Sequence, residues 1–332
     1  MCTCVLIWHN EARKRCSKGH KMEEMVLVKN LVKRYDDVIA LDHFSLDIAS
    51  GEIFGLLGPN GSGKTTAINC ILQLLSYDKG EIKLFGQPMT QTSYDIKRRI
   101  GVVPQNVAVF ESLTVKENID YFCGLYVTDK RERKRLVLEA MEFVGLEDYE
   151  RARPKKLSGG LLRRLNIACG IAHKPQLIFF DEPTVAVDPQ SRASILVGIQ
   201  QMNAQGATIV YTSHYMEEVE QICTRVMIMD KGKTLACGTS EELKVLVHAG
   251  EKITIEANVS QAALMRIQSL DHVISAKINE GRLEVTCENA EHNVADVLAE
   301  LSKAKIRPGR IWAEPPTLQD VFLEITGREL RD

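Results

Sequence analysis

From Val26 onward, short uninterrupted apolar runs are separated by longer stretches of helical period. MVLVKNLVKRY and FSLDIASGEIFGLLG predict strands, with a turn at Ser50–Gly51. TTAINCILQLL spaces its apolar residues along one helix face, EIKLFG returns to a strand, and residues 115–144 are mostly helical. A helix then opens at LSGG and runs through LLRRLNIACGIA. It is followed by LIFFDEP, a further helix and ATIVYTSH. Apolar runs without alternation are buried on both faces, and helices between them predict a parallel sheet in an α/β domain. That pattern ends near Leu246 and defines a first domain over residues 25–247.

A different pattern fills residues 250–332. KITIEANV, VISAKI and RLEVTCEN alternate as strands, while QAALMRIQSL and NVADVLAELSKAKI carry helical period. The order predicts a small α+β domain of ferredoxin-like type, with AEPPTLQD as a linker to a short C-terminal helix. Residues 1–24 have no period and read as a leader outside the fold, with the start of the fold proper at Met22 or Met25. Cys2, Cys4, Cys16 and His20 fall there, but their spacing matches no standard zinc pattern.

Composition narrows the classes. At 332 residues, 45% hydrophobic and 26% charged, the chain can bury a sizeable core. A formal net charge of -2 gives no reason to expect a nucleic-acid partner, and the local run KRERKR reads as a solvated helix face. The cysteines are scattered, several in apolar runs (Cys70, Cys169, Cys223), which fits buried free thiols rather than a disulfide framework. No apolar run approaches the roughly 18 residues of a membrane-spanning helix, so work at a membrane requires a membrane partner.

The chemistry begins at GPNGSGKTT, which follows the strand EIFGLL and opens a helix. Gly58, Pro59, Asn60, Gly61, Ser62, Gly63, Lys64, Thr65 and Thr66 satisfy G-x-x-x-x-G-K-[ST] in its required context. Backbone N–H groups freed by the glycines wrap phosphate oxygens, the helix N-terminus adds partial positive charge, Lys64 reaches the β- and γ-phosphates, and the Thr65 hydroxyl can bind Mg²⁺. LIFFDEP ends a buried strand on Asp181, placed for the Mg²⁺ shell, and on Glu182, placed for the attacking water as general base. ATIVYTSH brings His214 to the neighbouring strand end, where it can sense the γ-phosphate.

LSGG poses a question, because two adjacent glycines cost about 1 kcal/mol each inside a helix. Ser158, Gly159 and Gly160 form a second anion-binding helix start, yet no second lysine and acids accompany them. The simplest resolution is that they serve the ATP held by another subunit, two chains closing head to tail over two ATP molecules.

On these residues the chain resembles the ATP-binding cassette (ABC) ATPases. The resemblance implies a P-loop NTPase fold, a RecA-like core with a helical subdomain. It assigns Tyr35 to stacking on adenine and Gly58–Thr66 to the Walker A loop. Gln105 in VVPQN becomes the Q-loop glutamine that touches Mg²⁺ and water; LSGGL is the signature and LIFFDE Walker B. Asp188 falls in the D-loop, and His214 is the switch histidine. Two positions depart from the family pattern: Leu161 replaces the signature glutamine, and Ala186 stands where the D-loop commonly has glycine. Since Leu161 lies beyond the phosphate-contacting residues, hydrolysis is expected to survive.

GEIFGLLGPNGSGKTT, RRLNIACGIAHKPQLIFFDEPTVAVDPQSR, TSHYMEEVE and the tail PTLQDVFLEITGREL look like ATPase subunits of bacterial type-two ABC exporters, a group that includes antibiotic, multidrug and linearmycin-resistance systems. The resemblance implies a homodimer or heterodimer of ATPase subunits, peripheral on the cytoplasmic face of the cell membrane, driving a separately encoded transmembrane permease. An importer subunit would share every catalytic residue and differs only in these exporter-like segments. A ribosome-acting ABC protein usually carries two cassettes in one chain, whereas this chain has one.

Overall fold

The computed structural model describes residues 24–246, 250–279, 281–288 and 293–327. The expectations placed on residues 1–23 and on the last residues of the tail lie outside them. The chain forms two compact units, one through Gly238 and one from Thr239 onward.

The first unit contains two sheets. β1 (Glu24–Tyr35) pairs antiparallel with β2 (Val38–Ala49) and with β4 (Lys79–Leu84), and β5 (Gln87–Pro88) closes the order β2-β1-β4-β5. The central sheet has the order β10-β9-β3-β8-β7-β6, from β3 (Ile53–Leu57), β6 (Ile100–Val103), β7 (Leu177–Asp181), β8 (Thr208–Ser213), β9 (Arg225–Asp230) and β10 (Lys233–Gly238). Its pairs from β6 to β9 are parallel, as the apolar runs predict, and β10 turns back antiparallel on β9. Every residue of β3, β7 and β8 is buried. The register sets Leu57 opposite Ser213 and Asp181 opposite Thr212, so the glycine loop, the acid pair and His214 all leave the sheet at one edge. Ligands of open α/β sheets bind outside that carboxyl edge.

Eight of the eleven α-helices among the described residues take shape around this sheet or begin the second unit. α1 (Lys64–Ile71) follows the glycine loop and α2 (Tyr94–Lys97) precedes β6. α3 (Val115–Gly124) starts at a Thr114–Glu117 capping box, α4 (Lys130–Phe143) at an Asp129 cap and α5 (Gly159–Ile171) at a Ser158 cap. These three share an apolar cluster that includes Ile119, Leu136, Val137, Leu165 and Ala168, which makes them a helical subdomain. KRERKR lies on α4, where Arg133 pairs with Asp120 and Arg135 with Glu132 and Glu139. α6 (Pro189–Ala204) and α7 (Met216–Ile222) flank β8 in sequence, and α8 (Ser240–Leu246) begins the second unit.

In the second unit β11 (Glu251–Glu256), α9 (Gln261–Gln268), β12 (Val273–Asn279), β13 (Arg282–Cys287), α10 (Asn293–Lys303), β14 (Ile311–Glu314) and α11 (Leu318–Thr326) follow in order. The strand order β12-β13-β11-β14, antiparallel throughout, is ferredoxin-like. Its core gathers Ile253, Ile255, Ile267, Leu283, Val285, Val297 and Leu301. Two expectations need correction here: the second unit begins at Thr239 rather than at residue 250, and AEPPTLQD is not wholly a linker, because Ala313 and Glu314 belong to β14 and pair with Ile253 and Lys252 while Leu318–Asp320 open α11. All of β14 is exposed and it lies at a sheet edge, so no burial pattern announces it before Pro315 and Pro316 end it.

Candidate functional site

Residues Gly58–Lys64 turn tightly between β3 and α1. Ser62 N–H donates to the Pro59 carbonyl at 3.1 Å, and the Gly232 N–H reaches Ser62 O at 2.8 Å. Gly63, the N-cap of α1, has φ 106, and a Cβ there would stand 2.8 Å from Ala40 O, so only glycine fits. Asn60, Gly61 and Thr65 are exposed, Pro59, Gly63 and Thr66 half-buried, and Gly58, Ser62 and Lys64 buried. Ser62 Oγ is buried without a hydrogen-bond partner, a polar atom inside the loop that a phosphate oxygen would satisfy. Lys64 Nζ donates to the carbonyls of Gly58 at 2.8 Å and Pro59 at 3.3 Å.

The acids converge on this loop. Thr65 Oγ1 donates to Asp181 Oδ2 at 2.9 Å, and Thr212 Oγ1 holds Asp181 Oδ1 at 2.7 Å. Glu182 is met from three sides: Lys64 Nζ lies 3.2 Å from Oε1, while Gln105 Nε2 at 3.1 Å and His214 Nδ1 at 3.4 Å reach Oε2. Glu182 is buried with φ 47, a left-handed conformation unusual for a residue with a side chain, and its N–H donates to Thr212 Oγ1 at 2.9 Å. Thr65 and Asp181 present adjoining oxygen donors of the kind that suits a hard divalent cation. Gln105 is turned instead toward Glu182.

Ser158, Gly159 and Gly160 sit against the turn before α6. Ser158 Oγ accepts from Leu161 N–H at 3.4 Å, and both Ser158 and Gly159 are exposed. A Cβ on Gly160 would stand 2.5 Å from Ser191 Oγ and 3.1 Å from Asp188 Oδ2, so its glycine permits the contact of α5 with the start of α6. Asp188 caps α6 by accepting from Ser191 N–H at 2.9 Å, and that N–H holds its carboxyl below the usual range. Ala186, between the two, has φ 58. Tyr35 ends β1 exposed, with Lys33 Nζ 4.9 Å from its ring centroid.

Two buried charged residues beside the site escaped the sequence reading. Arg163 on α5 donates to the carbonyls of Pro183 (2.6 Å), Pro104 (2.9 Å), Gln105 (2.8 Å), Asp181 (3.3 Å) and Glu182 (2.8 Å). Burial pulls its pKa down, opposed by the nearby Asp181, Tyr211 and Glu182. Glu218 on α7 accepts through Oε2 from Tyr211 OH at 2.7 Å, Thr184 Oγ1 at 2.8 Å and Ser213 Oγ at 3.0 Å. Arg192 Nε lies 3.2 Å from its Oε1.

A glycine-lysine-threonine loop at a helix N-terminus on a parallel sheet, with acids at the adjoining strand edge, defines a P-loop nucleoside triphosphatase. Residues 41–185 match the family described as ABC transporter, and residues 238–326 match the C-terminal domain of DrrA1-3-like ATP-binding proteins. The chain is 38% identical to the linearmycin resistance ATP-binding protein of Bacillus subtilis (strain 168), over 93% of this chain and 100% of that protein. It is 35% identical to a Nod factor export ATP-binding protein of Burkholderia thailandensis, over 90% of this chain and 96% of that one. The daunorubicin resistance ATP-binding protein of Streptomyces coeruleorubidus is 32% identical over 92% and 97%. Among solved structures, an ATP-binding cassette dimer in a post-hydrolysis state with ADP and Pi matches with TM-score 0.60 and 27% identity, over 65% of this chain and 98% of that one. The chain therefore belongs to the ATP-binding proteins of the ABC transporter family, and it is an ATPase.

Proposed function

We propose that this chain is the motor subunit of an ABC exporter, pairing with a second ATPase subunit and driving a separate membrane-spanning permease from the cytoplasmic face of the membrane. The observation that carries the reading is the convergence of Lys64, Gln105 and His214 on Glu182 beside the Thr65–Asp181 pair. A γ-phosphate arriving at Lys64 replaces Glu182 as its partner and frees the carboxylate. Glu182 then accepts a proton from water as the water oxygen bonds to the γ-phosphorus and the bond to the ADP oxygen breaks. His214 orients Glu182 and the departing phosphate, and Gln105 holds the water side. Thr65 and Asp181 are the residues that would hold Mg²⁺, which would supply charge neutralisation to the phosphates. Tyr35 stacks on adenine. The exposed Ser158 and Gly159, with Gly160 behind them and Asp188 alongside, face the ATP held by the partner subunit.

The permease is met by the surface that follows Gln105. Val107, Phe110, Tyr121 and Leu125 are exposed, and the Phe110 and Tyr121 rings meet edge to face at 4.9 Å. An apolar patch of this kind fits an apolar helix of the membrane subunit. No helix among the described residues is long and apolar enough to cross a membrane. Export rather than import is supported by relatives named for antibiotic resistance and Nod factor export and by the DrrA-like C-terminal domain.

The test is affinity purification of the chain from detergent-solubilised membranes of its host. A polytopic protein in equal amount is the expected result; ribosomes alone would remove the transport reading. Glu182→Gln should keep ATP binding and accumulate as an ATP-bound dimer, and Lys64→Ala should lose both affinity and turnover. Wild-type hydrolysis by Glu182→Gln would remove Glu182 from its role.

A further inference from the structure

Arg163 lies one turn into α5, beyond Gly160, in a stretch whose polar residues would pass for helix surface. It is instead 4% exposed. A guanidinium carries five N–H donors in one plane, and here they meet main-chain carbonyls from two separate loops. Nη1 takes Pro104 and Gln105, Nε takes Pro183, and Nη2 takes Asp181 and Glu182. No carboxylate side chain is among these acceptors, so the contacts fix backbone rather than form an ion pair. The two segments carry Glu182 itself and Gln105, whose Nε2 donates to the Glu182 carboxylate. The Glu182 backbone needs such support, because its left-handed φ of 47 persists only where the surroundings over-determine it. Thr212 holds its N–H side and Arg163 its C=O side.

We propose that Arg163 is a positioning residue for hydrolysis, setting the backbone of Gln105 and Glu182 so that their side chains meet where the attacking water stands. The inference rests on the roles given above to Glu182 and Gln105. Only a planar fork can bridge both loops; a lysine presents its donors from a single nitrogen and reaches one loop at a time.

The experiment compares full-length wild type, Arg163→Lys, Arg163→Ala and Glu182→Gln by steady-state ATPase kinetics. ATP-binding stoichiometry, read with a fluorescent ATP analogue, normalises each rate. Displacement of a catalytic group by an ångström costs about 10²-fold, so Arg163→Ala should lose about that in kcat with KM for ATP and stoichiometry held. Added guanidinium ion should recover part of the rate, and methylammonium should not. Arg163→Lys, which keeps charge and bulk and carries the test if Arg163→Ala does not fold, should also fall at least tenfold in kcat. Wild-type kcat in Arg163→Lys overturns the proposal. So does a loss in folded Arg163→Ala that tracks lost ATP-binding stoichiometry and is not recovered by guanidinium. If Glu182→Gln itself turns over normally, the reading of the site fails first; if it is inactive while Arg163→Lys is normal, the Arg163 inference alone fails.

Discussion

Glu218→Gln removes one charge from a buried network while keeping its shape. In the wild type the Oε2 of Glu218, 3% exposed, accepts from three buried hydroxyls, those of Tyr211, Thr184 and Ser213. Burial, and then the Glu218 charge, hold the Tyr211 phenol far above its ordinary pKa, so it remains a donor. A hydrogen bond to a charged acceptor is worth about 1.5–3 kcal/mol and a neutral one about 0.5–1.5, so three bonds each lose about 1 kcal/mol. The Arg192 partner at 3.2 Å is one-third exposed, and its loss adds no more than about 1 kcal/mol. The total, about 3–4 kcal/mol, agrees with the roughly 3–5 kcal/mol cost of breaking a buried pair from one side.

The assay is urea unfolding of the full-length chain, comparing Glu218→Gln, Arg192→Met and the double variant. The cycle should return a coupling of about 1 kcal/mol between Glu218 and Arg192. Hydrolysis should fall as well, because the network ties Ser213, next to His214, to Thr184, between Glu182 and Asp188. A Glu218→Gln midpoint displaced by less than about 1 kcal/mol would refute the reasoning, since the three short hydroxyl contacts would then be indifferent to charge.

Three further outcomes are expected. Asn118, fully buried, accepts from Phe110 N–H at 2.7 Å and donates to the carbonyls of Phe110, Leu113 and Thr114. Asn118→Ala should lower stability by about 3 kcal/mol, read by chemical unfolding, and, on the proposed docking at Phe110, weaken copurification of the proposed permease. His173 stacks on Tyr126 with centroids 4.0 Å apart, and burial lowers its pKa. The folded state thus binds fewer protons than the unfolded one, so its contribution is complete above the unfolded pKa of about 6.5 and is lost as pH falls below that value. His173→Phe should flatten the fall of Tm between pH 7.5 and pH 5.5, a range of roughly one unit either side of that value. Burial also pushes the thiols of Cys70, Cys123, Cys237 and Cys287 up to about 11, and those of Cys169 and Cys223 higher. Site-resolved mass spectrometry should find these six unlabelled by a thiol reagent at mildly alkaline pH until the chain unfolds.

How much of this was legible in the sequence follows from the range of each signal. The glycine loop and the acids after LIFFD are local, and their spacing alone implies their chemistry. The buried strands β3, β7 and β8 declare themselves because parallel strands covered on both faces need apolar residues at every position. The sheet of β1 drew no reading as a separate layer, since β1 pairs with β4, far along the chain, and such pairing leaves no mark within a window; the β9–β10 hairpin, whose partners are separated only by Lys231 and Gly232, was passed over despite its local signal. β14 is exposed at all four residues and so carries no burial pattern. Arg163 and Glu218 were missed for a related reason. A charged residue on an amphipathic helix reads as surface unless a partner lies three or four residues away, and theirs are carbonyls and hydroxyls from other loops and strands.

Those two residues also account for a backbone that would otherwise be hard to maintain. Between Asp181 and Asp188 the chain enters the left-handed region twice without glycine, at Glu182 and at Ala186, at about 1–2 kcal/mol each. The second is a departure from the family pattern, in which glycine would remove that cost. The segment is held from both sides. Arg163 fastens the carbonyls of Asp181, Glu182 and Pro183, and Glu218 fastens the Thr184 hydroxyl. Asp188 then fixes the exit by capping α6. Charge-assisted hydrogen bonds of about 1.5–3 kcal/mol each are enough to offset two such residues. The other departure, Leu161, lies outside this clamp: it packs against the helical subdomain core while its N–H completes the Ser158 cap. Neither Leu161 nor Ala186 removes a group from the convergence on Glu182, so ATP hydrolysis is expected to survive both departures.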